Sequence, residues 1–88
     1  MKLKYEFVVR NIMDEFVLVP VGEAALKFAG MITTSEVGAF LIELLKKDTN
    51  KEFLVQNLMA EYEVCEDQAS QDVDEFLAQL NKFNLLLD

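Results

Sequence analysis

The 88-residue chain predicts an α+β fold: a three-stranded antiparallel sheet followed by three helices. Three observations predict it. Near the start, apolar residues alternate in period two. From residue 33 onward they recur at spacings of three and four. The two patterns occupy separate parts of the chain, which places helices on one face of a sheet.

The first strand is expected over about residues 3–10. Leu3, Tyr5, Phe7 and Val9 alternate with Lys4, Glu6, Val8 and Arg10, as in a strand with one buried face. Asn11 to Asp14 supply turn chemistry. The second strand, about 15–19, is apolar on both faces and stops at Pro20 and Gly22. A third strand is expected over about 25–32, with Leu26 and Phe28 on one face, although alanine and glycine weaken strand propensity there. Short connections favour antiparallel neighbours. So small a sheet has exposed edges, and an exposed edge needs a cover.

The helices are expected over about 35–47, 50–61 and 66–82. Thr33-Thr34-Ser35-Glu36 has the pattern of a capping box. Val37, Phe40, Leu41, Leu44 and Leu45 then form one apolar face. Thr49-Asn50-Lys51-Glu52 is a second box, opening a helix with Leu54, Val55, Leu58, Met59 and Tyr62 inward. The last helix turns Ala69, Val73, Phe76, Leu77 and Leu80 inward. Asn84 stands where a left-handed cap residue is expected, before Leu85-Leu86-Leu87. No linker or repeat interrupts the chain, so residues 1–88 read as a single domain.

The net charge of −8 is unevenly placed. Residues 1–32 balance, and all the excess acid lies in 33–88. Between Glu61 and Glu75 there are seven acids and no base. That surface repels a phosphate backbone. It is either a solvated face or a docking surface for a basic segment. Cys65, alone, forms no internal disulfide, which fits a reducing cytosol. No signal peptide opens the chain. Its longest apolar run, Phe16 to Val21, is far below the roughly 20 residues that span a bilayer. A cytoplasmic protein with no membrane partner is expected.

Histidine is absent, which removes the commonest general base and metal ligand. One cysteine without histidine cannot build a structural zinc site, and Cys65 reads as a structural residue at an unusual capping position. Gly22, Gly30 and Gly38 lack the spacing of a phosphate-binding loop. Asp72 and Asp74, two apart on a helix, do not face each other. These residues point to a binding module with no metal and no cofactor, not to an enzyme. On the last helix, Phe76 and Phe83 extend the apolar surface toward one flank, edged by Asp72, Glu75 and Gln79. Such a flank is either plain core or a groove wall.

Phe7-Val8-Val9-Arg10, Asp14-Glu15-x-Val17-Leu18-Val19-Pro20 and Val37-Gly38-Ala39-Phe40-Leu41-Ile42-Glu43-Leu44-Leu45 carry a family pattern. Glu61-Tyr62-Glu63-Val64 and Asp72-Val73-x-x-Phe76-Leu77-x-x-Leu80 continue it to Leu85-Leu86. Across roughly residues 5–87 the chain resembles the PqqD-like family, also described as the RiPP recognition element. It departs at Ile42, where many members have tryptophan, and at Asn84, where glycine is usual. It departs also at Thr33-Thr34-Ser35, in place of an asparagine-containing cap, and at Cys65, where an acidic cap is common. The resemblance implies a winged helix-turn-helix-like unit that binds the leader of a ribosomally made precursor peptide. The leader would lie along the third strand as an added strand, against the third helix. Main-chain hydrogen bonds would supply affinity and side-chain pockets register. The implied peptide-binding residues are Ala25, Leu26, Lys27, Phe28, Ala29 and Met31 on the strand, with Asp72, Glu75, Phe76, Gln79 and Phe83 on the helix. The implied second partner is a peptide-modifying enzyme, in this family often a radical-SAM protein.

An open edge can also be satisfied by a second copy, as a homodimer. Two competing functions are a winged-helix DNA binder and a small structural subunit of an enzyme complex. The first would use residues 66–82 for recognition, and their acidic sign is wrong for nucleic acid.

Overall fold

The computed structural model describes residues 1–28, 30 and 32–87. The elements are β1 (Lys2–Leu3), β2 (Phe7–Ile12), β3 (Glu15–Pro20), α1 (Glu23–Lys27), β4 (Ile32–Thr34), α2 (Glu36–Leu44), α3 (Lys51–Glu61), α4 (Glu66–Lys82) and β5 (Leu86–Leu87). The α+β class holds. β2, β3 and β4 form a three-stranded antiparallel sheet in that order, and the long helices follow it.

A two-residue turn joins β2 to β3, with Ile12 opposite Glu15. Met13 and Asp14 both have positive φ, at 50° and 68°, the conformation a tight hairpin needs to match the twist of its strands. Period two then fixes the faces. Phe7, Val9, Leu18 and Ile32 join the core packed under the helices, while Arg10 and Thr33 are exposed on the other side.

The expected third strand over 25–32 is not formed as such. Residues 23–27 are helical, and only Ile32–Thr34 is a described strand in this region. Ala24, Ala25, Leu26 and Lys27 are strong helix formers, and the Phe28 N–H closes the turn on the Ala24 carbonyl at 2.9 Å. Ala24 and Phe28, one helical turn apart, face inward. Ala24 is buried, and the Phe28 ring packs on Tyr5 and Phe7 with centroids 5.4 and 5.9 Å away. Leu26 is left 88% exposed.

The expected first strand is broken in two. Leu3 donates its N–H to the Leu45 carbonyl and Lys4 to that of Leu85, so β1 pairs with β5 and not with the main sheet. The first long helix ends at Leu44, short of 47. There the N-terminal amine of Met1 binds Asp48 Oδ1 and the Thr49 carbonyl, each at 2.8 Å, and holds the chain in a turn.

Both capping boxes are displaced. Ser35, not a threonine, caps α2, its Oγ accepting the Gly38 N–H at 3.0 Å, because β4 runs on through Thr34. Asn50, not Thr49, caps α3, accepting the Phe53 N–H at 2.9 Å. The Thr49 amide is already committed to the Met1 carbonyl.

Leu41, Ile42, Leu45, Leu54, Leu58 and Val73 are buried at the junction of the three long helices. Each fully buried side chain of this kind contributes about 1.5–3 kcal/mol. Phe40 meets Tyr62 edge to face at 5.7 Å. Burial, reinforced by the Glu36 carboxylate, pushes the Tyr62 hydroxyl above its ordinary value.

α4 ends in a Schellman motif. Asn84 has φ 58°. The Asn84 N–H returns to Asn81 and the Leu85 N–H to Leu80, at 3.0 and 2.9 Å. Leu80 and Leu85, both buried, complete it. An L side chain other than Asn or Asp is penalised by about 1–2 kcal/mol in this conformation. Asn84→Ala is therefore expected to lower stability by about 1 kcal/mol and Asn84→Gly to match or exceed wild type. Paired urea melts check this, and equal midpoints for the two variants would contradict it.

Candidate functional site

The site begins with the two edges of the main sheet. β2 forms one and β4 the other. Hydrogen-bond direction alternates along an antiparallel strand. The tight turn makes Ile12 and Glu15 a hydrogen-bonded pair, so Glu15, Val17 and Val19 bond toward β2. Phe16 and Leu18 therefore bond toward β4, where their partners are Thr34 and Ile32. Thr33, opposite Val17, is left with its N–H and carbonyl pointing away from the sheet. Among the described residues of β4, Thr33 alone offers its main chain to the open edge.

A groove of about 310 Å³ opens where β4 ends. Ser35, Val37 and Gly38 form one wall, and Asp72, Glu75, Phe76 and Gln79 the other. The α4 residues fall at i, i+3, i+4 and i+7, a single stripe on the helix. Two glutamines one turn earlier steady the carboxylates: Gln68 donates to Asp72 at 2.8 Å and Gln71 to Glu75 at 3.3 Å. No lysine or arginine is among the lining residues. Asp74, outside this wall, pairs instead with Lys51 at 2.9 Å.

Gly38 sets the width of the groove. It is buried inside a helix, where glycine costs about 1 kcal/mol relative to alanine. A Cβ here would overlap Thr34 Oγ1 and lie 3.0 Å from Phe76 Cε1. Glycine thus lets the first turn of α2 approach both the strand end and the helix wall.

Of the residues expected at a site, the structure brings together Asp72, Glu75, Phe76 and Gln79. Phe83 caps the C-terminus of α4, is 63% exposed, and does not line the groove. Ala25, Leu26 and Lys27 lie on α1, not on a strand edge. Lys27 stands 6.0 Å above the Tyr5 ring. Phe28 is half-buried beside Phe7. Ala29 and Met31 lie outside the described residues. Ser35, Val37, Gly38 and Thr33 were not foreseen, though a glycine inside an apolar helical run was a readable sign of close approach. Cys65 does cap α4, but it is exposed and its side chain makes no capping bond.

A second hollow, about 630 Å³, lies at the far end of α2, lined among others by Leu44, Lys46, Lys47 and Phe53; no strand residue lines it. Among the described residues, no group of three or more cysteines, aspartates and glutamates is placed to hold a metal ion. No helix there is long and apolar enough to cross a membrane.

An antiparallel sheet with a bare edge strand, set beside a helix-lined groove, defines a small α+β module of the winged-helix kind. The chain belongs to the family described as coenzyme PQQ synthesis protein D (PqqD), whose pattern matches residues 15–86. Two solved structures share its fold. One is TbiB1 in complex with the TbiA(beta) leader peptide, 28% identical over the whole of both chains, with a TM-score of 0.68. The other is lasso peptide synthetase B1 complexed with the leader peptide, 20% identical over 99% of this chain and 96% of that one, also at 0.68. A search of curated proteins returns no match.

Proposed function

We propose that this chain is a non-catalytic adaptor. It binds the leader segment of a ribosomally synthesised precursor peptide by strand addition along β4, against α4, and presents the rest of that peptide to a modifying enzyme in the cytoplasm. The observation that carries this reading is the outward-facing Thr33 main chain beside a groove walled by Asp72, Glu75, Phe76 and Gln79. An added strand would bond to the outward N–H and carbonyl of Thr33, and the groove would take its alternate side chains. Family membership and the leader-bound state of TbiB1 support the same reading. The modifying enzyme is of the radical-SAM class on the family resemblance. A homodimer paired through the same edge would compete with the leader.

An amide-shift titration with leader peptides of precursors encoded beside this chain tests the reading. Shifts concentrated at Thr33, Gly38 and residues 72–79 are expected. Binding that leaves these amides unmoved would overturn it.

The acidic α4 adds a second expectation. It carries Glu66, Asp67, Asp72, Asp74 and Glu75 against Lys82, the wrong sign for a phosphate-lined groove. No mobility shift of duplex DNA is expected at physiological salt. Submicromolar, salt-sensitive binding would sink the adaptor reading.

A further inference from the structure

Resting on the groove as a peptide site, we propose that its occupant is cationic: an extended segment with a lysine or arginine two residues from an apolar side chain, both turned into the groove. The spacing follows from strand geometry. A peptide residue paired with Thr33 turns its side chain to Thr33's own face, away from α2. Its two flanking neighbours turn to the groove side, where Thr34 meets Gly38. In a strand these neighbours are about 6.6 Å apart.

The α4 wall repeats that interval. Asp72 and Phe76 are one turn apart, about 6 Å along the axis. For a segment running along α4, one inward side chain therefore reaches the half-buried Phe76 ring as the other reaches the carboxylates of Asp72 and Glu75. The chemistry of the second position follows from the lining. Two carboxylates face the groove and no base lines it. The glutamines that steady them neutralise nothing. An acidic or purely apolar side chain there would leave both charges without a partner as the groove loses water. A cation supplies that partner, with hydrogen bonds stronger than neutral ones.

The test uses the whole chain and random 12-residue peptides selected by display. Selected peptides that shift the amides of Thr33, Gly38 and Phe76 are expected to carry Lys or Arg at two-residue spacing from an aromatic or aliphatic residue. Asp72→Asn/Glu75→Gln is expected to weaken them roughly three- to tenfold. Glu61→Gln/Glu63→Gln removes the same charge outside the groove and is expected to change affinity by less than about twofold. Peptides that shift the groove amides without basic enrichment, or that lose no more in the groove variant than in this control, overturn the cationic inference and leave the adaptor reading standing. If no selected peptide shifts those amides, both fall.

Discussion

Thr33→Pro is expected to keep a cooperative melt yet weaken leader binding by about 1–3 kcal/mol, whereas Thr34→Pro unfolds or aggregates the domain. The two residues are adjacent, and only hydrogen-bond direction separates them. Thr34 is paired with Phe16 and donates into the sheet; Thr33 donates outward. Proline removes the donor wherever it stands, and an edge strand tolerates that only on its open side. β4 has three residues, so losing one inward bond removes much of what holds it. Total stability for a chain of this size is about 4–13 kcal/mol, leaving little reserve. Thr33→Ala serves as the side-chain control, since it keeps the amide. Urea melts and calorimetric titration with a leader peptide read the two effects separately. Strand addition at β4 is wrong if Thr33→Pro folds and binds as tightly as Thr33→Ala.

The second large effect is expected at Gly38. On helix propensity alone, Gly38→Ala would stabilise by about 0.8–1 kcal/mol. The structure reverses the sign, because the new methyl overlaps Thr34 Oγ1 and presses on the Phe76 ring at 3.0 Å. Overpacking of this kind costs about 1–3 kcal/mol. Net destabilisation is expected, together with weaker peptide binding as Phe76 shifts. Removing the obstruction gives the decisive comparison. In a Thr34→Ala background the hydroxyl is gone, and Gly38→Ala should lose most of its penalty, a coupling that a double-mutant cycle measures. Additive effects would mean that the close approach at Gly38 does not govern the groove.

The hairpin and the three long helices were legible because each is long enough to show a composition, a cap or a period. Phe7–Ile12 and Glu15–Pro20 are six-residue runs rich in β-branched and aromatic residues on either side of a turn signal, and the α4 core recurs over several turns. The segment from Glu23 to Ile32 was not. Ala24 and Phe28 are spaced for one helical turn, but Leu26 and Phe28 also fit a strand, and a five-residue helix is too short to decide by period. Its alanines were the better guide. β1 and β5, two residues each, have no period at all and exist through pairing between opposite ends of the chain. The capping motifs identified the helix starts but not the capping residue, since tertiary bonds from Met1 and the length of β4 chose it.

The candidate site divides in the same way. Its α4 wall is a periodic stripe and could be read from residues 72, 75, 76 and 79. The opposite wall depends on a distance between two elements, Gly38 to Phe76: the glycine marks a close approach, but nothing local names its partner. The outward direction of Thr33 depends on counting from the Met13–Asp14 turn, which requires the strand boundaries first.

The pairing of β1 with β5 sets Lys2 opposite Leu87. Both ends of the described chain therefore leave from one corner, at the C-terminal end of α2, while the groove lies at the start of that helix. Nine helical residues separate the two by about 13 Å. A polypeptide joined after Leu87 would depart from that corner, leave the Met1 amine on Asp48 and need not cross the β4 edge. A short flexible tether to an enzyme at that corner would hold the two proteins at an effective concentration in the millimolar range. Capture of the peptide and its delivery would then become steps within one molecule, governed by linker length and no longer by how often two proteins meet.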